Sequence, residues 1–207
     1  YIIYANENVP NYTGTQISEI LKLKYHKPVF VENDVNAAAI GEGHYGAGKT
    51  YKDFLCLTYG TGIGGAIVIN NQIYKGTHGV AGEVGHMITH INGLVCSCGN
   101  HGCYEQYAST TALINKALYY DKNLVNGLLI FDELEKGNHE VKSIVDAWID
   151  EIIYGLVNLV HIFNPSCIIL GGGIMKQKYI IQSINKKIKD KLMDSFKNVK
   201  IIAAELS

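Results

Sequence analysis

Apolar residues at Ile17, Ile20, Leu21 and Leu23 fall on a roughly helical stripe and predict a helix within residues 15–25. Pro28 then opens "KPVFVEN", whose β-branched and aromatic run predicts a strand. The alanine-rich segment after Asp34, "VNAAAIGEGHYG", predicts a helix starting at or near that aspartate. "DFLCLTYG" and "AIVI" read as strands on either side of the glycine turn "GTGIGG". Asn70-Asn71 is a hairpin turn leading into "QIYK". Glycine and small polar residues dominate from Gly76 to Gly102, with one short strand expected at "HMITH"; a connector this long is expected to be functional.

Helices are predicted over much of Ser109–Phe163, broken near Gly127 and again near Gly137-Asn138. The last of them is apolar on nearly every side toward its end and should be largely buried. "CIILGGG" is a strand running into a glycine turn; a further helix and the strand "VKIIAAEL" follow. Strands alternating with helices predict an α/β fold with a mixed sheet. The opening "YIIYA", without Met, reads as the middle of a strand, so the chain is expected to be a piece of a longer protein.

At 207 residues the chain is long enough for a substantial core, and its 47% hydrophobic and 18% charged content is that of a globular protein. A net charge of −1 with no basic patch gives no footprint for nucleic acid. The lysines of 186–191 spread around a helical wheel and are expected to be solvated. No apolar run can span a bilayer. Five cysteines, an odd number in a chain too large to need a disulfide framework, favour the reducing cytoplasm.

Three of those cysteines, Cys96, Cys98 and Cys103, lie within "CSCGNHGCYE". The spacing lacks the C-x-x-C of a redox pair, but it can give three thiolates to one zinc; His86, His90 or His101 could supply the fourth ligand. "YGTGIGG" at 59–65 is either a plain hairpin turn or a loop whose amides bind phosphate; no Lys follows to make it a P-loop. "ILGGG" at 169–173 is either a tight turn or a strand-to-helix turn that meets a nucleotide. In "VENDVNAAA", Asp34 could cap the helix, while the Asn33 amide could serve a hydroxyl. "HGVAGEVGHM" sets Glu83 and His86 three residues apart in a glycine-rich turn.

Taken together, "ENDVNAAAIGE", "GTGIGGAI", "GVAGEVGHM", "CSCGNHGCYEQYAS" and "NPSCIILGGG", in that order, resemble the ROK family of sugar kinases and sugar-responsive repressors. The resemblance implies the actin-like ATPase (ribonuclease H-like) fold. Residues 1–33 would be hinge-proximal and the end of the small lobe, and 34–207 the large sugar- and nucleotide-binding lobe, with a zinc loop at 86–103.

The same resemblance implies that Asp34 is the general base of an ATP-dependent hexose kinase, with glucose the leading substrate. Asn33, Asp34, Glu83, His86 and Glu105 would bind the sugar; Gly60, Thr61, Gly62, Gly171, Gly172 and Gly173 would meet the nucleotide. His86, Cys96, Cys98 and Cys103 would hold a structural Zn2+, leaving His90 and His101 as bystanders, and Mg2+ would accompany ATP. A homodimer is the expected assembly. The family's first phosphate loop and closing C-terminal helix have no match here, so this piece alone is expected to bind zinc but phosphorylate poorly. The competing expectation is a repressor whose DNA-binding segment lies upstream.

Overall fold

The structure, a computed structural model, describes residues 11–206; the strand expected at "YIIYA" lies outside them. The chain divides into two compact units, Tyr1–Asp34 and Val35–Ser207.

Within the first unit, α1 (Ile17–Tyr25) forms as its stripe predicts and ends at His26 in the left-handed conformation (φ 51°). No residue of α1 is buried. The strand expected at 27–33 does not form. A strand exists only through its ladder, and the described five-stranded sheet does not include this segment. Phe30 is 93% exposed. The Val29 carbonyl is instead bonded by the Ser18 hydroxyl at 3.0 Å.

The second unit is built on a five-stranded mixed sheet, as expected, in the order β3-β2-β1-β4-β5. Its strands are β1 (Phe54–Tyr59), β2 (Ile63–Ile69), β3 (Gln72–Ile73), β4 (Cys167–Gly171) and β5 (Lys200–Ala203). β1 pairs antiparallel with β2 and parallel with β4, and β4 pairs parallel with β5. Asn70 and Asn71, at φ 52° and 61°, turn β2 into β3. Such φ values at both central positions are what a tight two-residue hairpin demands.

Alternation along the central strands sorts side chains onto two faces. Leu55, Leu57 and Tyr59 of β1, with Ile168 and Leu170 of β4, join the main core. Phe54, Cys56, Cys167 and Ile169 point the other way, toward Val35 and Ala39 of α2 (Asp34–Tyr45). Cys56 and Cys167 are thus buried packing residues, and burial pushes each thiol up to about 12.

The helices on the main-core face are α3 (Glu105–Ala108), α4 (Thr110–Tyr120), α5 (Gly127–Glu135), α6 (His139–Phe163) and α7 (Lys178–Lys187). Side chains cap three of them: Ser109 accepts from Ala112 N, Asn126 from Leu129 N, and Asn138 from Glu140 N and Val141 N. Each cap satisfies amides that the first helical turn leaves unpaired. α6 runs through the core with ten buried residues, Trp148 among them. Its last turn differs from expectation, because Ile162 and Phe163 are exposed. Of the lysines at 186–191, Lys187 pairs with Asp150 at 2.9 Å and the others face solvent.

Two features lay outside the pattern. β2 starts at Ile63, so Gly64 and Gly65 belong to a strand rather than a turn. Side chains there would collide with Val35 and with the Gly82 carbonyl, so the strand has glycine where its neighbours press closest. Glu42 is 2% exposed. Its carboxylate accepts from the amides of Ala47 (2.8 Å), Glu205 (3.2 Å) and Leu206 (2.8 Å), fastening α2 to the segment after β5.

Candidate metal centre and ligand-binding turns

The segment after β3 has little regular structure. The strand expected at "HMITH" is replaced by a 3-10 turn at Val84–His86 and two isolated bridges, Ile88 with Cys103 and Val95 with His101. Backbone bonds close the loop tightly: Cys96 N to Asn100 O at 2.8 Å, Gly102 N to Leu94 O at 2.8 Å, and Tyr104 N to Met87 O at 2.7 Å. Gly102 (φ 77°) is pressed against the His90 carbonyl, where no side chain fits.

This folding brings His86, Cys96, Cys98 and Cys103 together, with one donor atom from each within 4.8 Å of the others. Cys96 Sγ is 3.6 Å from His86 Nδ1, and Cys98 Sγ is 3.6 Å from Cys103 Sγ. A tetrahedral ion with ordinary metal–sulfur and metal–nitrogen bonds requires edges of about 3.8 Å between sulfurs and about 3.6 Å between sulfur and nitrogen. The four residues therefore fit a metal and fill its coordination.

Burial and the neighbouring thiols push the Cys103 thiol up to about 12, whereas the Asn100 backbone lowers that of Cys98. A dication among them would reverse the first effect, because a coordinating thiol gives up its proton. Of the three histidines weighed as fourth ligand, His86 is the one in the cluster. His90 stacks on Tyr107 with ring centroids 3.7 Å apart and lies 3.5 Å from Glu151 of α6; His101 is exposed.

Glu105 opens α3 beside this cluster. Its Oε1 lies 3.2 Å from Cys96 Sγ and 3.8 Å from His86 Nδ1. Its Oε2 covers the glycine turn after β1: a Cβ on Gly62 would come within 2.5 Å of it, and one on Gly85 within 3.3 Å. One carboxylate thus touches the metal cluster with one oxygen and the Gly60-Thr61-Gly62 turn with the other. Glu83 is exposed at the head of the Val84–His86 turn.

The second glycine turn, Gly171-Gly172-Gly173, follows β4 and enters a 3-10 turn at Gly173–Lys176. Because β1 and β4 are parallel, with Thr58 opposite Gly171, both turns leave the same edge of the sheet. Gly172 (φ 104°) has no room for a side chain, since one would strike the Tyr59 carbonyl. In the other unit, Asn33 precedes α2, its amide donating to Glu32 Oε1 at 3.1 Å, and Asp34 is the first residue of the helix. Among the described residues no helix is long and apolar enough to cross a membrane.

Sequence reasoning passed over two residues at this site, Tyr59 and Tyr104. Each is a large aromatic directly beside a motif residue, and that adjacency was the available signal. Tyr104 is 0% exposed and Tyr59 1%.

The ROK family profile matches residues 1–207. The glucokinase of Thermotoga maritima is 34% identical over 94% of this chain and 66% of its own length. The xylose repressor of Bacillus spizizenii is 33% identical over 91% of this chain and 49% of its own. A ROK family glucokinase from Streptomyces griseus, solved with glucose and AMPPNP, superposes with a TM-score of 0.85 at 31% identity, over 95% of this chain and 70% of that one. The chain spans about two thirds or less of these curated relatives. The structural neighbours include ROK sugar kinases, which have the actin-like ATPase fold.

Proposed function

The chain belongs to the ROK family, and from that premise we propose that its protein is an ATP-dependent kinase acting on a hexose hydroxyl. The observation that carries this reading is the placement of Glu105, with one oxygen at the metal cluster and the other over the Gly62 turn. A carboxylate there can accept hydrogen bonds from sugar hydroxyls beside a turn whose amides suit phosphate.

In this reading Asn33, Glu83, His86 and Glu105 hold the sugar, and Asp34 takes the proton from the attacking hydroxyl. A carboxylate is enough for that task, since phosphoryl transfer depends mostly on positioning and charge stabilisation. Gly60, Thr61 and Gly62, with Gly171, Gly172 and Gly173, receive the nucleotide, whose phosphates carry Mg2+. His86, Cys96, Cys98 and Cys103 would hold zinc, the metal that three thiolates and an imidazole favour. With Nδ1 of His86 facing Cys96 Sγ, Nε2 is left for a sugar hydroxyl, and the imidazole would be oriented by a bound ion.

A panel of hexoses with ATP and Mg2+, read by ADP release, tests the activity on the full-length protein. Asp34→Asn should keep sugar affinity within about tenfold while abolishing turnover, because an amide keeps the shape but cannot accept the proton. Retained turnover removes Asp34 from the mechanism. The match to xylose repressors carries a second reading, a sugar sensor without turnover. Sugar binding with no ADP release across the panel would favour it.

A further inference from the structure

Tyr59 and Tyr104 meet in the main core, each next in sequence to a residue of the proposed site. Tyr104 stands between the cluster ligand Cys103 and the carboxylate Glu105, and Tyr59 immediately precedes Gly60. The Tyr59 carbonyl accepts from Thr110 Oγ1 at 3.1 Å and abuts Gly172; the Gly60 carbonyl accepts from Thr110 N at 3.0 Å. Thus Tyr59 belongs to the base of both turns, while Tyr104 follows Cys103 directly and its amide donates to the Met87 carbonyl, next to His86.

Their hydroxyls are 2.9 Å apart, and Tyr104 Oη donates to the carbonyl of Ile152 in α6 at 2.8 Å. A phenol has one proton. With that of Tyr104 committed to Ile152, Tyr59 must be the donor between the two, and the chain of bonds runs one way into α6. The rings meet edge to face, their centroids 6.5 Å apart at 85°. Gly155 of α6 makes this possible, since a methyl there would overlap the Tyr104 ring. Two phenylalanines would fill the same volume with no hydroxyl to desolvate, so packing alone does not account for a buried, ordered pair.

We propose that Tyr59 and Tyr104 are positioning residues that transmit the order of the metal loop to the Gly60-Thr61-Gly62 turn. Glu105 and the turn are then held in their mutual geometry only while His86, Cys96, Cys98 and Cys103 carry a metal. This inference rests on the metal reading of that cluster and adds to it a route by which the metal acts outside its own loop.

The test is hydrogen–deuterium exchange over residues 59–65 of the full chain, zinc-loaded and chelator-stripped, in the wild type, Tyr59→Phe and Tyr104→Phe. In the wild type, stripping should speed exchange of the turn amides about tenfold. In loaded Tyr59→Phe the same amides should already exchange fast, and stripping should change them less than about twofold. Tyr104→Phe, which leaves the Tyr59 proton without an acceptor, should show the larger disturbance; adding Tyr59→Phe to it should recover part of the loss.

A purely structural pair would lower the melting temperature yet leave the turn's response to stripping at its wild-type size, and that result overturns the proposal. The wild-type comparison needs no variant to fold. If equilibrium dialysis finds no zinc bound to the wild type, the metal reading falls and this inference with it. If zinc binds but the turn ignores its removal, this inference alone falls.

Discussion

The metal loop and α6 reach order by different means. α6 buries ten residues and is held by apolar contact along most of its length. The loop turns several apolar side chains outward, Ile91 at 88% and Val95 at 69% exposure, and is closed by backbone hydrogen bonds around four residues that could hold a metal. Burial gives diffuse order that tolerates the loss of one contact, whereas a metal cross-link of the kind proposed would concentrate order in a few atoms. The sugar carboxylate of the proposed site stands where the two meet, on α3 between loop and core.

That contrast can be broken in three ways. Stripping the metal, by chelation or Cys98→Ala, should raise exchange in residues 86–103 about a hundredfold or more while leaving the buried face of α6 unchanged. Equal loosening of α6 would show that the two regions share one source of order. Trp148→Ala should do the opposite. Trp148 is fully buried and its Nε1 donates to the carbonyls of Ala108 and Ser109, both at 3.0 Å. Urea unfolding should show a loss of about 3–5 kcal/mol, with metal stoichiometry unchanged in the folded fraction. Loss of zinc from the folded variant would mean that the core, not the ligands, shapes the loop.

The smallest effect tests the seam. His90 reaches from the loop to Glu151 of α6, which Lys116 of α4 also approaches at 4.0 Å. His90→Ala should cost about 1 kcal/mol or less in urea unfolding, because the pair is part-exposed. A cost several times larger would make this contact, rather than the tyrosine pair, the main link between loop and core.

The same contrast explains what could be foreseen from sequence. Where apolar burial makes the structure, periodicity exposes it: α1, β1, β4 and most of α6 lie where their patterns put them. The cluster could be anticipated as well, because thiolates at that spacing have few other uses, although spacing alone left three histidines open. Periodicity failed where non-local contact decides. "KPVFVEN" has strand residues but is not part of the described sheet. Gly64 and Gly65 look like a turn until Val35 and Gly82 are seen pressing on them. α3 is four residues long, too short for a stripe to show. The Tyr59–Tyr104 bond joins residues 45 apart in sequence, and no local pattern records it.

The parallel pairing of β1 with β4 has one more consequence. The turns at Gly60 and Gly171 are far apart in sequence, yet the Thr58–Gly171 register sets them side by side. The two strands therefore work as the jaws of a caliper, whose opening is fixed by counting residues. Adding one residue to either strand would move its turn by about 3.3 Å against the other. It would also reverse the faces of every side chain beyond the insertion. A ligand that spans both jaws would detect such a slip as lost affinity. Changes of length, more than changes of composition, should therefore be the mutations these two strands tolerate least.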